Sequence, residues 1–102
     1  MKLSSDQIKQ YRAIAHNLKP VIIVGDNGAS EALLAELNRA LSDHELIKIK
    51  INLGEKDDRA MLIEEILAAS NAALVQTIGK MAVLYKKNPK PNPKLSNLLR
   101  QL

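Results

Sequence analysis

The chain has 102 residues, the size of one small domain. Hydrophobic residues make up 46% and charged residues 25%, so the chain can form a core and is not a disordered polyelectrolyte. The absence of cysteine excludes disulfides, thiolate metal sites and thiol nucleophiles. Tyr11 and Tyr85 are the two aromatic residues, too few for most surfaces on which bases stack.

Basic residues are concentrated near the C-terminus. The formal net charge is +4, from 15 Lys and Arg against 11 Asp and Glu. Residues 80–102 contain no acid, and their basic residues are Lys80, Lys86, Lys87, Lys90, Lys94 and Arg100. Two interpretations stay open, namely contact with a polyanion through counterion release and a solubilising tail.

The N-terminal segment has no secretory pattern, because Lys2 is soon followed by the polar run 4–7. The longest strongly apolar runs, such as residues 21–24, are too short to cross a bilayer. We therefore expect a cytoplasmic protein with no membrane partner.

The first predicted element is a helix. Ser4-x-x-Gln7 is typical of a capping box, and Leu3 is placed to pack on Ile8. An apolar stripe recurs at helical spacing and consists of Ile8, Tyr11, Ala15 and Leu18. Pro20 disfavours helix at the preceding residue and ends the element.

A strand, a glycine loop and a second helix follow. Residues 21–24 are Val-Ile-Ile-Val, β-branched throughout, which predicts a strand covered on both faces. Gly25-Asp26-Asn27-Gly28 predicts a turn, and Ser30 is a candidate cap for the next helix. The apolar stripe of that helix is Leu33, Leu34, Leu37 and Leu41.

The second half repeats this alternation. Residues 47–53 alternate apolar and polar, which predicts a strand with one wet face carrying Lys48 and Lys50. Asp57 is a candidate cap for a third helix with the stripe Leu62, Ile63, Ile66 and Leu67, ending near Asn71. Residues 73–78 and 81–86 predict an antiparallel hairpin around Gly79-Lys80.

The predicted order is α-β-α-β-α-β-β, an α/β fold with a four-stranded mixed sheet. The two crossover helices should share one sheet face, and the first helix or the tail should cover part of the other. Residues 1–87 form the predicted domain. Residues 88–102 are a Pro/Lys-rich tail predicted to be extended, with polyproline II character, and to end in a short amphipathic segment, Leu95, Leu98, Leu99 and Leu102.

No pattern in the chain predicts catalysis. His16 and His44 lack metal-ligand spacing, Gly79-Lys80 does not belong to a P-loop, and no GxSxG occurs. Adjacent acids such as Asp57 and Asp58 point in different directions on a helix. We expect no enzyme activity, no cofactor and no metal.

The loop at residues 25–28 is the sharpest local motif. Two glycines before a helix expose backbone N–H groups and let a phosphodiester approach, as in the GXXG clamp of KH domains. Many connections use two glycines as a plain turn, so this alternative stays open.

Basic side chains near this loop are candidate RNA contacts. At 100° per residue, Lys9, Arg12, His16 and Lys19 form one ridge on the first helix, within about 80° of one another. The ridge could equally be an ordinary solvent-exposed face of the helix. In the same way, Lys48 and Lys50 could simply lie on the exposed side of a strand. The candidate RNA-binding residues are Lys9, Arg12, His16, Lys19, Gly25, Asp26, Asn27, Gly28, Lys48, Lys50 and Lys80.

Three segments together, 15–20 (AHNLKP), 21–28 (VIIVGDNG) and 44–50 (HELIKIK), resemble the CRM domain (chloroplast RNA splicing and ribosome maturation) and its free-standing bacterial YhbY family. The resemblance covers residues from about 3 to 85. It implies a fold similar to the C-terminal domain of translation initiation factor 3.

The resemblance also implies binding to RNA, specifically ribosomal RNA or precursors of the large ribosomal subunit. Gly25 and Gly28 match the family's loop glycines, and Lys48 and Lys50 match its second strand. Lys19 and Pro20 match the segment entering the first strand. Asp26 stands where relatives often have lysine, so backbone amides and the helix cations would supply the contacts.

Two alternatives remain at this point. The chain could be an adaptor that binds ribosomal proteins through its C-terminal leucines. DNA binding is a third option, disfavoured because no helix-turn-helix is evident.

Overall fold

The computed structural model of the protein describes residues 3–99, in which three helices and four strands alternate. The elements are α1 (Ser5–Ala15), β1 (Pro20–Val24), α2 (Glu31–His44), β2 (Leu46–Ile51), α3 (Lys56–Ser70), β3 (Ala73–Ile78) and β4 (Met81–Tyr85). The element order and the mixed four-stranded sheet confirm the predicted fold class.

The strands lie in the order β1-β2-β4-β3. β1 pairs with β2 in parallel, and β4 is antiparallel to both of its neighbours, β2 and β3. β3 consequently runs parallel to β2, with β4 inserted between them. The predicted hairpin is confirmed, and Gly79 takes a φ of +56° in its two-residue turn, a backbone conformation that glycine adopts without strain.

One face of the sheet forms the main core with α2 and α3. The buried isoleucines of β2 on this face are Ile47, Ile49 and Ile51. The helices contribute the predicted apolar stripes, with Leu37 and Ile66 fully buried. The alternation predicted for residues 47–53 is thus confirmed for this face.

The other face is partly covered by α1, as predicted. Tyr11 and Ala15 of α1 pack with Leu46, Val75 and Tyr85 of the sheet. The rings of Tyr11 and Tyr85 have centroids 4.8 Å apart and are tilted by 37°. The tail contributes too, because Leu98 packs against this second core.

The prediction that the first strand is covered on both faces is wrong. Ile22 and Val24 are buried, but Val21 is 47% exposed and Ile23 is 65% exposed. β1 is an edge strand, and α1 contacts β2 and β3. The run of β-branched residues therefore indicates a strand, but it does not indicate that both faces of the strand are buried.

Most helix ends follow the predicted signals. Ser4 and Gln7 form the capping box, with hydrogen bonds of 2.9 and 3.1 Å. Ser30 Oγ accepts from the Leu33 amide at 3.2 Å, and Asn71 ends α3 in the left-handed region at a φ of +59°.

The predicted cap at Asp57 is wrong. The N-cap of α3 is Glu55, whose side chain makes no capping hydrogen bond, and Asp57 lies inside the first turn. An acid in that position is still favourable, because the helix dipole is positive at its N-terminal end.

The described part of the tail, residues 88–99, contains bends and turns where an extended segment is predicted. Asn88 Oδ1 accepts from the Lys90 amide at 3.0 Å, and Asn92 Oδ1 accepts from the Lys94 amide at 2.9 Å. Each Asn-Pro-Lys segment therefore closes an Asx turn, a local bond that competes with polyproline geometry. The segment with helical spacing forms turns at residues 93–95 and 97–98 in place of an α-helix, and Leu102 lies outside the described residues.

No helix in residues 3–99 has both the length and the apolar character needed to cross a membrane.

Candidate nucleic-acid interface

α1 presents basic side chains beside its apolar stripe. Lys9, Arg12 and His16 are all exposed, whereas Tyr11 and Ala15 face the core. The helix ends at Ala15 and is followed by a turn, in which the Leu18 amide donates to the Ala15 carbonyl at 3.0 Å. The predicted helical position of Lys19 is therefore wrong, and Lys19 lies in the exposed connection to β1.

Arg12 is oriented by a partner on the sheet. With the Gln76 carbonyl oxygen turned toward the guanidinium, that oxygen accepts from Arg12 Nε at 3.1 Å and from Arg12 Nη2 at 3.2 Å. Two donors on one oxygen hold the plane of the guanidinium against β3. The charge of Arg12 is consequently held over the sheet.

Three of the predicted basic residues line one cavity of about 420 Å³ between α1 and the sheet. They are Arg12 of α1, His16 at the C-cap of α1, and Lys48 of β2. The apolar part of the lining consists of Ala13, Ala15, Ile78, Met81 and Val83. The cavity therefore combines cations with an apolar floor.

Lys50 extends this surface along β2. Side chains two residues apart on a strand share a face, so Lys50 lies on the same side as Lys48. It pairs with Ile23 of β1 and with Met81 of β4. This arrangement continues the cationic surface toward the end of the sheet where the glycine loop begins.

Backbone hydrogen bonds join the loop, β2 and the hairpin turn at that end. The Asn52 amide donates to the Val24 carbonyl, and the Ile51 amide donates to the Lys80 carbonyl, both at 2.7 Å. Gly25 follows Val24 directly, so the glycine loop and Lys80 flank the end of β2 on opposite sides.

Residues 25–28 form a tight turn in which the Gly28 amide donates to the Gly25 carbonyl at 3.0 Å. Gly28 has a φ of +59°, so the second glycine is required by the backbone. The Gly28 amide is thus occupied within the turn. The cavity beside the loop is lined by the carboxylates of Asp26 and Glu36 and by no basic side chain.

The sheet separates charges of opposite sign. α2 and α3 carry acids in excess on their side, namely Glu31, Glu36, Asp43, Asp57, Asp58, Glu64 and Glu65 against Arg39, Lys56 and Arg59. We define the basic face as the surface on the α1 side formed by the exposed Lys9, Arg12 and His16 and the half-buried Lys48 and Lys50. Asp6 is the one acid in α1, in its first turn.

The two histidines lie in different places. His16 lines the cavity of the basic face, whereas His44 Nδ1 lies 2.8 Å from the Leu95 carbonyl, to which it donates when protonated on that nitrogen. Within residues 3–99, no three His, Asp or Glu side chains are grouped as a metal site would require.

Gln76, Ile78 and Met81 were not among the predicted site residues. Gln76 and Ile78 face the cavity because β3 has a bulge between Leu74 and Gln76, which changes the alternation of its side chains, and Met81 lines the cavity from β4. The available sequence signal was the polar Gln76 within the largely apolar segment 73–78. This signal did not indicate which face of the sheet Gln76 occupies, because the bulge depends on the pairing of β3 with β4.

Comparison with known proteins places this chain in a family. The family model of the CRS1/YhbY (CRM) domain matches residues 3–86. A probable RNA-binding protein of Pseudomonas aeruginosa is 58% identical over 100 residues, covering 98% of this chain and 96% of that protein. An RNA-binding protein of Haemophilus influenzae is 42% identical over 84 residues, covering 82% of this chain and 85% of its own length.

The fold is also found in a hypothetical protein of Staphylococcus aureus of known solution structure. The two structures superpose with a TM-score of 0.77 at 30% sequence identity, covering 93% of this chain and 98% of that one. The family match spans α1 through β4, including the glycine loop and every residue of the basic face. The chain therefore belongs to the CRS1/YhbY (CRM) domain family.

Proposed function

We propose that this protein binds structured RNA without catalysis, and that the basic face is its principal contact surface. The names of its relatives support RNA as the partner. The resemblance to the ribosome-maturation branch of the family favours ribosomal RNA in large-subunit precursors.

The observation that carries this proposal is the separation of charge across the sheet. Lys48 lines the cavity between α1 and the sheet and Lys50 shares its face of β2, while acids predominate on α2 and α3. A phosphate backbone is attracted to the first side and repelled by the second. With two tyrosines in the whole chain, both packed against each other, recognition would depend on phosphate and shape.

The glycine loop contributes through its backbone. Asp26 and Glu36 disfavour a phosphate in the cavity beside the loop. The exposed amides of Asp26 and Asn27 can still meet a phosphate that approaches from the Lys50 side, because Gly25 has no side chain in the way. Lys80 would contact the same strand of RNA from the hairpin turn.

A charge-matched pair of double variants tests the proposal. Lys9→Gln/Lys48→Gln removes two cations from the basic face, and Arg39→Gln/Lys56→Gln removes two from the α2–α3 side. Binding of a ribosomal RNA hairpin is measured at several salt concentrations. The first variant should lower the log–log salt slope by about 1.5, whereas the second should leave it unchanged.

Equal losses from both double variants would contradict the assignment of the basic face. A matched DNA hairpin, used as a competitor, addresses the DNA alternative. Displacement of the RNA by DNA at equal concentration would argue against RNA preference.

The adaptor alternative receives less support. Its leucine segment would need a free apolar side, but Leu98 packs against the second core and Ser96 is fully buried. Among the leucines of this segment within residues 3–99, Leu95 is the most exposed, at 38%.

A further inference from the structure

The cavity between α1 and the sheet differs from a plain phosphate-binding surface, because its floor is apolar. Val83 and Ala15 are buried there, and Met81 is half-buried. Ile78, at the rim, is 64% exposed. A phosphodiester gains nothing from aliphatic side chains, so phosphate contact alone does not explain them.

The polar groups of the cavity are donors. Gln76 uses its carbonyl oxygen to accept from Arg12, so its amide N–H groups remain the part of that side chain able to bind a ligand. Arg12 adds further N–H groups, Lys48 adds an ammonium group, and the His16 ring adds one N–H group. Nucleobase edges carry carbonyl and ring-nitrogen acceptors that match such donors.

We propose that this cavity receives one unpaired nucleobase of the bound RNA. The base would lie on Ile78, Met81 and Val83, with its edge toward Gln76 and its phosphate toward Lys48. The volume of about 420 Å³ falls within the ~300–1,000 Å³ range of small-ligand sites. Aliphatic packing would replace the aromatic stacking that the composition excludes. This inference rests on the proposed function and adds a preference for RNA with a bulge or loop.

The test fills the cavity without changing charge. Ala13 is an exposed residue of α1 that lines the cavity, and Ala13→Leu keeps a good helix former there while occupying its mouth. Ala35→Leu is the matched control, at an exposed position of α2. Ile78→Thr is a second variant that keeps the β-branched backbone preference and reduces the apolar rim.

The probes are an RNA hairpin with a single-nucleotide bulge and the same hairpin fully paired. Wild type and Ala35→Leu should bind the bulged hairpin about tenfold more tightly, a difference of 1.4 kcal/mol. Ala13→Leu should bind both hairpins equally, at the wild-type affinity for the paired one, and Ile78→Thr should reduce the preference.

Three results would overturn the inference. If wild type binds both hairpins equally and with a steep salt dependence, the cavity does not receive a base, although the proposed function stands. If Ala13→Leu retains the full preference, the bulge is recognised elsewhere. If wild type binds neither hairpin, the inference and the proposed function fail together.

Discussion

The carboxylate of Glu45 accepts a hydrogen bond of 2.7 Å from the hydroxyl of Ser96, 51 residues later in the chain. The second oxygen of Glu45 accepts from the Asn88 amide at 3.0 Å, and its backbone carbonyl accepts from the Lys86 amide at 3.0 Å. Glu45 is 5% exposed, and Ser96 is fully buried. This buried charge holds the tail against the junction of α2 and β2.

The backbone at this junction is also unusual. Glu45 has a φ of +61°, a conformation that costs a non-glycine residue free energy. Asn97 donates to the Leu46 carbonyl from its side chain and to the His44 carbonyl from its backbone, at 2.7 and 2.9 Å. The tail therefore satisfies polar groups that the turn between α2 and β2 would otherwise leave open.

We expect Ser96→Ala to lower the free energy of unfolding by about 1.5–3 kcal/mol, because a buried carboxylate loses a charge-assisted hydrogen bond. Urea unfolding measures this change. Ser42→Ala, at an exposed position of α2, is the matched control and should change stability little. A neutral effect of Ser96→Ala would show that water replaces the hydroxyl at Glu45.

Deleting residues 88–102 should destabilise the protein more than Ser96→Ala does. It removes both hydrogen bonds to the Glu45 carboxylate and the packing of Leu98, so we expect a loss of about 3 kcal/mol or more. Below its melting temperature, the shortened protein should still bind ribosomal RNA with a clear salt dependence. Loss of particle association with RNA affinity retained would instead favour the adaptor alternative.

The two loop glycines should respond differently to alanine. Gly28→Ala places a side chain at a φ of +59° and should cost about 1–2 kcal/mol of stability, although the nearest atom, Leu62 Cδ1, would be 3.6 Å away. Gly25→Ala meets no atom within 4 Å and should change stability by less than about 0.5 kcal/mol.

RNA binding separates the structural role of the loop from its contact role. If the loop backbone meets phosphate, Gly25→Ala should weaken binding of a ribosomal RNA hairpin in titrations while its thermal unfolding stays at the wild-type temperature. Unchanged affinity would limit the loop to a turn between β1 and α2.

Tyr85 should make stability fall at alkaline pH. Burial raises its pKa from 10.0 to about 12, and the neighbouring Tyr11 and Glu45 add to the shift. The folded protein then holds a proton that the unfolded chain releases, so this contribution is complete below pH 10 and is lost as pH rises toward about 12. Tyrosinate absorbance measures the ionisation, and chemical unfolding at several pH values measures the stability. Tyr85→Phe should reduce the alkaline loss, and an equally steep loss in that variant would assign it to other groups.

The local signals predicted local structure well. Ser4 and Ser30 begin their helices and Asn71 ends α3, as expected, because each makes its contacts within a few residues. The exposure of one face of β1 could not be predicted in this way, because it depends on α1 packing on β2 and β3, and those contacts are between elements distant in sequence. The apolar run 21–24 therefore predicts that Ile23 is a core residue, whereas Ile23 is exposed.

In the candidate site, too, the individual residues could be predicted from the sequence but their arrangement could not. Arg12 and Lys48 were identified by their charge and by the periodicity of their elements. Their meeting at one cavity, with Gln76 as the partner of Arg12, required the tertiary arrangement. The burial of Glu45 could not be predicted, because a single acid next to a strand gives no sequence signal that it will be buried.

The separation of charge across the sheet also affects how a partner would arrive. A molecule of 37 × 26 × 23 Å with lysines on one side of its sheet and an excess of carboxylates on the other has an electric dipole directed across the sheet, in addition to its net charge of +4. In the field of a polyanion, such a molecule rotates before contact, so that productive orientations are enriched among encounters. The association rate should therefore depend on where each charge lies, and moving one lysine across the sheet would slow association at constant net charge.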